Sequence, residues 1–159
     1  MEKQLASMLA EAKGGPICFE GRSVIMGYEI PISKGQEVIV EFLKCSDDEL
    51  VDQGFEVSID KRKGYIEIYD QKFNHPVFWT KTAEKTLSFI CHPKKDNGGL
   101  LIWNIWRNLE WGSKAAVHAW IGNAGLYVED DGSGTVVLHC SHGINEVDFE
   151  NLVISVTVK

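Results

Sequence analysis

Hydrophobic and polar residues alternate along much of the chain, which is the pattern of β-strands that bury one face. Residues 152–158 are the clearest case, because every second side chain there is a large aliphatic one. Residues 101–106 differ, since both faces of this stretch are mostly apolar, one with Trp103 and the other with Trp106. We therefore predict that 101–106 is a central strand covered on both sides.

Turn-forming residues divide the chain into short strands, and we predict three of the neighbouring pairs to be hairpins, one of them 126–129 with 135–142. Strand 23–32 pairs with 36–45 across a three-residue loop, and 55–59 pairs with 65–69. The other predicted strands are 77–80, 86–92, 101–106, 115–121 and 152–158. About ten short strands with no long helix between them predict an all-β fold, an antiparallel β-sandwich or a jelly-roll-like barrel.

Helical periodicity is confined to the N-terminus, where apolar residues recur at the spacing of one helix face between Glu2 and Lys13. Residues 1–15 are therefore predicted as a short amphipathic α-helix that covers an open end of a sheet, and 16–159 as a single β-sandwich domain. The helix and the double glycine after it also resemble the leader peptides of exported bacteriocins. A single helical turn is predicted at 46–50, where Ser46 begins a capping box.

The charge and the hydropathy pattern narrow the classes of function. The chain has 159 residues and a formal net charge of −7, which argues against nucleic acid as the main ligand and permits a basic protein partner. No apolar run approaches the roughly 18 residues of a membrane span, and no secretory signal precedes the domain. We therefore expect a cytoplasmic protein with no membrane partner.

The five tryptophans are candidates for both the core and a binding surface. Four of them fall within 100–131, and large indoles usually contribute to the core. The alternative is that Trp106 or Trp111, near Arg107, is exposed and anchors a partner protein or stacks on a sugar.

Cysteine and histidine provide the candidates for metal or nucleophile chemistry. Four widely spaced cysteines without a secretory signal indicate free thiols. A zinc site would draw on two strands, and its predicted ligands are Cys91, His92, Cys140 and His142. The other interpretations are a nucleophilic pair of Cys140 with His118 or His92, and two small core cysteines with histidines at strand ends.

Two acidic segments complete the candidate residues. Asp130 and Asp131 begin a Gly-rich run that predicts a hairpin turn and has oxygen ligands enough for calcium. Residues 145–151 form a second acidic loop, which contains Glu146 and Asp148. If the two segments lay together, they would form an acidic surface able to receive a basic partner.

The sequence as a whole predicts a non-catalytic interaction protein, an acidic β-sandwich of the inhibitor or immunity type that binds another protein and needs no cofactor. Its predicted partner-binding residues are Trp106, Arg107, Trp111, Asp130, Asp131, Glu146 and Asp148. One alternative is a carbohydrate-binding module that uses exposed tryptophan and calcium. The other is a metal-dependent enzyme built on the zinc ligands.

Overall fold

A computed structural model describes residues 3–112 and 115–159 of the chain. Its elements begin with helix α1 (Leu5–Glu11) and include a short 3₁₀-helix, η1 (Leu109–Trp111). The strands are β1 (Ile17–Phe19), β2 (Arg22–Val24), β3 (Tyr28–Ile32), β4 (Gln36–Cys45), β5 (Val51–Ile59), β6 (Tyr65–Ile68), β7 (Gln71–Phe73), β8 (Val77–Trp79), β9 (Thr86–His92), β10 (Gly98–Asn108), β11 (Gly125–Asp130), β12 (Thr135–Ser141) and β13 (Leu152–Val158).

Most strands belong to two antiparallel sheets that pack face to face. The smaller sheet has the order β3-β10-β5-β8, and the larger has the order β11-β12-β13-β4-β9-β6-β7. Strands β1 and β2 form a separate hairpin. The prediction of an all-β antiparallel sandwich is confirmed, with thirteen strands in the described ranges rather than about ten.

The main core lies between the two sheets and contains a cluster of phenylalanines. Phe55, which is fully buried, has ring centroids of Phe42 and Phe78 at 5.4 and 5.1 Å. Phe78 in turn stacks on Phe89 of the larger sheet at 6.3 Å. Such offset and tilted contacts are the arrangements that aromatic rings prefer, and they add to the stabilisation from burial.

The predicted central strand is confirmed as β10, which is hydrogen-bonded to β3 on one edge and to β5 on the other. Leu100 and Ile102 point into the main core. Trp103 and Ile105 point to the opposite face, yet they are also buried. The ring of Trp120 covers Trp103, and the two ring centroids are 5.1 Å apart. Both faces of β10 are therefore covered, which explains why both are apolar.

The hairpins predicted for 23–32 with 36–45 and for 55–59 with 65–69 are wrong, because the chain crosses between the sheets at those loops, whereas the hairpin predicted at 130–134 is present between β11 and β12. At each of the two crossings one strand belongs to the smaller sheet and the next to the larger: β3 precedes β4, and β5 precedes β6. At 60–62 three successive residues have positive φ angles, and this left-handed turn directs the chain across the core. Alternation predicts which side chains are buried but not which neighbour the strand pairs with.

Three further predictions differ from the structure. Residues 115–121 do not form a strand, because only His118 pairs with a neighbour, Trp106 of β10. Residues 46–50 contain no helical turn; instead the Asp48 carboxylate accepts a hydrogen bond from the Leu50 amide at 2.9 Å. The long strand predicted at 23–32 is interrupted between β2 and β3.

Helix α1 packs on a second, smaller core beside the larger sheet. Leu5 is fully buried with Val24 and Phe149, and the Ala6 amide donates a hydrogen bond to the Gly122 carbonyl at 2.9 Å. The predicted N-terminal helix is thus present between Leu5 and Glu11, while its predicted start at Glu2 lies outside the described residues. In the described chain, neither helix has the length and apolar character needed to cross a bilayer.

Candidate functional site

Trp106 and Trp111, the two tryptophans predicted as partner anchors, have opposite environments. Trp106 is only 2% exposed, whereas Trp111 is 69% exposed. The difference arises at η1, where the Asn108 side chain accepts a hydrogen bond from the Glu110 amide at 3.0 Å and caps the 3₁₀ turn. This turn replaces the two-residue periodicity of β10 with a three-residue one, so that Trp111 faces outward.

Four segments meet at the end of the sandwich where β5 begins and β10 ends. We call this end the aromatic–acidic end and define it as residues 46–50, 109–112, 115–121 and 142–151. The Leu109 amide donates to the Leu50 carbonyl at 2.7 Å, which joins the first two segments. The Ser46 amide donates to the Asn151 carbonyl at 2.8 Å and joins the first to the last.

A row of aromatic rings runs through this end from the surface to the interior. The Trp111 ring meets His118 edge to face at 6.0 Å, His118 lies 6.3 Å from Trp106, and Trp106 lies 6.5 Å from His142. Two backbone hydrogen bonds between His118 and Trp106 fix the middle of the row. The exposed Trp111 indole therefore packs against His118, whose position is fixed by packing and hydrogen bonds with Trp106.

Other apolar side chains are exposed on the segments of this end, although Trp120 lies over Trp103 on the outer face of the smaller sheet rather than beside Trp111. Leu50, Val117, Trp120 and Ile121 each have two fifths to one half of their surface exposed. Exposed apolar residues scattered singly are ordinary, whereas several at one end of a domain are less common. The sequence did not predict that these four side chains are exposed at a common end, since only the tertiary structure places Leu50 beside residues 109–121.

An acidic concavity of about 680 Å³ adjoins this apolar surface. Its lining includes the carboxylates of Asp48, Glu146 and Asp148, with His142 at its base. His142 is only 5% exposed, and its Nδ1 accepts a hydrogen bond from the Ile144 amide at 3.2 Å. Burial lowers the pKa of His142 from its ordinary value of 6.5, even though Asp48 and Asp148 act in the opposite direction.

The lowered pKa of His142 predicts a pH-dependent loss of stability. Because the unfolded chain binds a proton near pH 6.5 and the folded chain binds it only at lower pH, the free energy of unfolding should fall as pH drops below about 6.5. The slope from this one group is at most about 1.4 kcal/mol per pH unit.

Urea unfolding at a series of pH values from 7.5 to 5 measures this loss of stability. His142→Asn retains an acceptor near Nδ1 and should give a smaller loss; an equal loss in both proteins would contradict the prediction.

The structure places Arg107 in a local cluster rather than free at the surface. Its guanidinium lies 2.8 Å from the Asp52 carboxylate and 4.6 Å from the centre of the Trp79 ring. Lys81 lies 2.9 Å from the same carboxylate. Burial alone would raise the pKa of Asp52, but hydrogen bonds from Lys81 and Arg107 more than offset this and lower it.

Asp130 and Asp131 lie at the hairpin tip between β11 and β12, whereas Glu146 and Asp148 follow the other end of β12. Roughly 20 Å of strand separates the two acidic segments, so they do not form one surface. The carboxylates of Asp130 and Asp131 accept the amides of Gly132 and Ser133, both at 2.9 Å. The predicted turn at the hairpin tip is confirmed. The acidic loop that lies beside 145–151 is 46–50 rather than this tip.

The four predicted zinc ligands are not brought together. Cys91 and Cys140 both face the main core, on β9 and β12, which are about 14 Å apart because two strands lie between them. His92 instead pairs with Glu67 at 3.0 Å. In residues 3–112 and 115–159, no group of three or more His, Cys, Asp or Glu side chains has a metal-binding arrangement.

Cys91 and Cys140 also lack the environment of nucleophiles. Burial raises the pKa of the Cys91 thiol to about 12 and also raises the pKa of Cys140. A thiol that stays protonated at neutral pH is a poor nucleophile. Both residues fit the interpretation of small apolar core side chains.

No family model, curated protein or solved structure matches this chain. The functional interpretation therefore depends on the geometry of the aromatic–acidic end.

Proposed function

We propose that this protein is a non-catalytic binding domain that recognises a basic partner protein through its aromatic–acidic end. The observation that carries the proposal is the 69% exposure of Trp111 on the rigid support of His118 and Trp106. Tryptophan is among the side chains that most often dominate binding energy at protein interfaces. A rigid indole also loses little conformational freedom when it is buried by a partner.

The surroundings of Trp111 support a protein partner with positive charge. Exposed apolar residues next to it would supply the water-excluding contacts of an interface centre. The acidic concavity beside them, with Asp48 and Glu146, provides a negative rim that attracts a basic surface and orients it during association. Apolar centre and charged rim together match the common anatomy of protein interfaces.

The test is affinity capture from a lysate of the source organism with the full chain and with Trp111→Ala. We expect the native chain to retain one basic protein in stoichiometric amount. Purified and assayed directly, this protein should bind Trp111→Ala about tenfold or more weakly. Tyr69→Asn is the matched control, because Tyr69 is equally exposed on another surface and asparagine tolerates its positive φ.

A second pair of variants tests the charged rim. Asp48→Asn with Glu146→Gln should slow association several-fold at low salt. Asp130→Asn with Asp131→Asn removes the same charge at the distant hairpin tip and should have little effect. Equal binding by native protein and Trp111→Ala, or a partner without a basic surface, would contradict the proposal.

A carbohydrate ligand is the second candidate, since the indoles of Trp111 and Trp120, nine residues apart in the chain, are both exposed. It predicts that oligosaccharides change tryptophan fluorescence in a saturable manner, and that Trp111→Ala removes this change. Saturable sugar binding without any protein partner would favour this candidate over the first.

A further inference from the structure

Five cationic side chains gather at the end of the sandwich opposite the aromatic–acidic end. They lie in the β5–β6 loop and the β9–β10 loop, and they are Lys61, Arg62, Lys63, Lys94 and Lys95. The chain has 16 Lys and Arg residues and a net charge of −7, so two short loops hold nearly a third of its cations. In the described parts of the chain, none of the ion pairs involves any of the five.

The strand register brings these two loops together. Ile59 at the end of β5 is paired with Leu100 of β10, and the first residue of β6 is paired with the last of β9. Two hydrogen bonds connect Asp60 with Gly99: the Asp60 amide donates to the Gly99 carbonyl at 3.0 Å, and the Gly99 amide donates to the Asp60 carboxylate at 2.9 Å. The cations are thus held close together despite their mutual repulsion.

The backbone of the β5–β6 loop adds a second observation. Asp60, Lys61 and Arg62 have φ angles of 49°, 54° and 73°, in a region where residues with long side chains are uncommon. Glycine or asparagine would adopt this conformation at lower cost. Unfavourable backbone conformations persist mostly where the surrounding structure enforces them, often at functional sites. Here the chain has cationic side chains at two of the three positions.

Between the loops lies a cavity of about 670 Å³. Lys61, Lys63, Lys94 and Lys95 line it, together with the neutral residues Ser58, Asn97, Gly99 and Leu101. Two carboxylates also line it, Asp60, which accepts the Gly99 amide, and Glu29, so that the four ammonium groups exceed the carboxylates by two charges. The cavity is within the size range of small-molecule sites, which is roughly 300–1,000 Å³.

We infer that this cavity binds a small ligand with two or more phosphate groups. Several unpaired ammonium groups around one cavity suit clustered phosphate charge, because each can donate to phosphate oxygens as a compact cation. Leu101 and Asn97 offer apolar and polar contacts to the rest of the ligand. The cations surround one cavity rather than following a stripe over the surface, which favours a small ligand over a nucleic acid strand. The site lies about 27 Å from the aromatic–acidic end, the length of β5, and does not depend on the proposed function.

Isothermal titration of the full chain with inorganic tripolyphosphate tests the inference. We expect saturable binding of one tripolyphosphate per chain that weakens with added salt. Lys63→Gln with Lys94→Gln should weaken binding by about tenfold or more. Lys13→Gln with Lys85→Gln removes the same charge from exposed sites away from the two loops and should weaken binding by less than about twofold.

Three results would overturn the inference. One is the absence of saturable binding by the native chain. Another is an equal loss in the two double variants, which would indicate general attraction to a polyanion. The third is binding of long single-stranded DNA with an affinity that rises with length while tripolyphosphate does not bind, which would indicate a nucleic acid surface. Far-UV circular dichroism and thermal unfolding should be the same for all variants, since the replaced side chains are exposed.

Discussion

Replacing Trp106 by alanine is expected to lower the free energy of unfolding by about 3–5 kcal/mol. The indole is 2% exposed and packs with Val51 and Ala124 in a small cluster of its own. It also contacts the rings of His118 and His142, so its removal leaves a large cavity under the aromatic–acidic end. Domains of this kind are stable by only about 5–15 kcal/mol, and the variant should therefore be close to unfolding.

Trp111→Ala is the matched control, because it removes the same side chain five residues later. Trp111 is mostly exposed, and we expect its loss to change the free energy of unfolding by less than about 0.5 kcal/mol. Urea unfolding followed by far-UV circular dichroism measures both, since this signal reports mainly on the backbone and, unlike fluorescence, does not rely on the tryptophans replaced. Similar losses in the two variants would contradict the assignment of Trp106 to the interior and Trp111 to the surface.

The sequence does not show that Trp106 is buried and Trp111 exposed, because this difference arises from the local structure at the end of β10. Alternation places Trp106 on the same face of β10 as Ile102, but it does not show whether that face is still covered at the end of the strand. Trp111 follows in a 3₁₀ turn whose cap is the Asn108 side chain. Its exposure depends on this turn and on the path of 115–121, which pairs with β10 at a single residue.

Strand positions were predictable wherever alternation was regular. β4 and β13 begin and end at the predicted residues, 36–45 and 152–158, because large apolar side chains recur at every second position over most of each strand. The pairing of strands was not predictable in the same way. A short loop between two strands predicts a hairpin, yet the loops after β3 and β5 lead into the opposite sheet.

The candidate site was predicted only in part, since it depends on contacts between residues far apart in sequence. Trp111, Glu146 and Asp148 were identified from their own chemistry, and all three lie at the aromatic–acidic end. Asp48 was missed because it joins them only through the pairing of 46 with 151. Cys91 and Cys140 have the chemistry of metal ligands, but their burial on separate strands is a consequence of the tertiary structure.

Gly54→Ala is expected to reduce the free energy of unfolding by about 3 kcal/mol, at the upper end of the usual cost of overpacking. Gly54 lies in β5 opposite Trp79 of β8, and a Cβ added there would be 2.2 Å from the Phe78 carbonyl oxygen. A backbone atom of a paired strand cannot move aside as a flexible side chain can. The methyl group should therefore push β8 away and draw Phe78 out of its contact with Phe55.

The nearby Gly99 provides a control that separates this clash from the general effect of a methyl group in a strand. Gly99 lies on the same outer face of the smaller sheet, but a Cβ there would meet the carboxylate end of Glu29 at 2.6 Å, and that side chain can rotate. Neither glycine has a positive φ, so both alanines avoid backbone strain. Gly99→Ala should change the free energy of unfolding by less than about 0.5 kcal/mol. If urea unfolding gave equal losses for the two variants, the close approach of β8 to β5 would not be the cause.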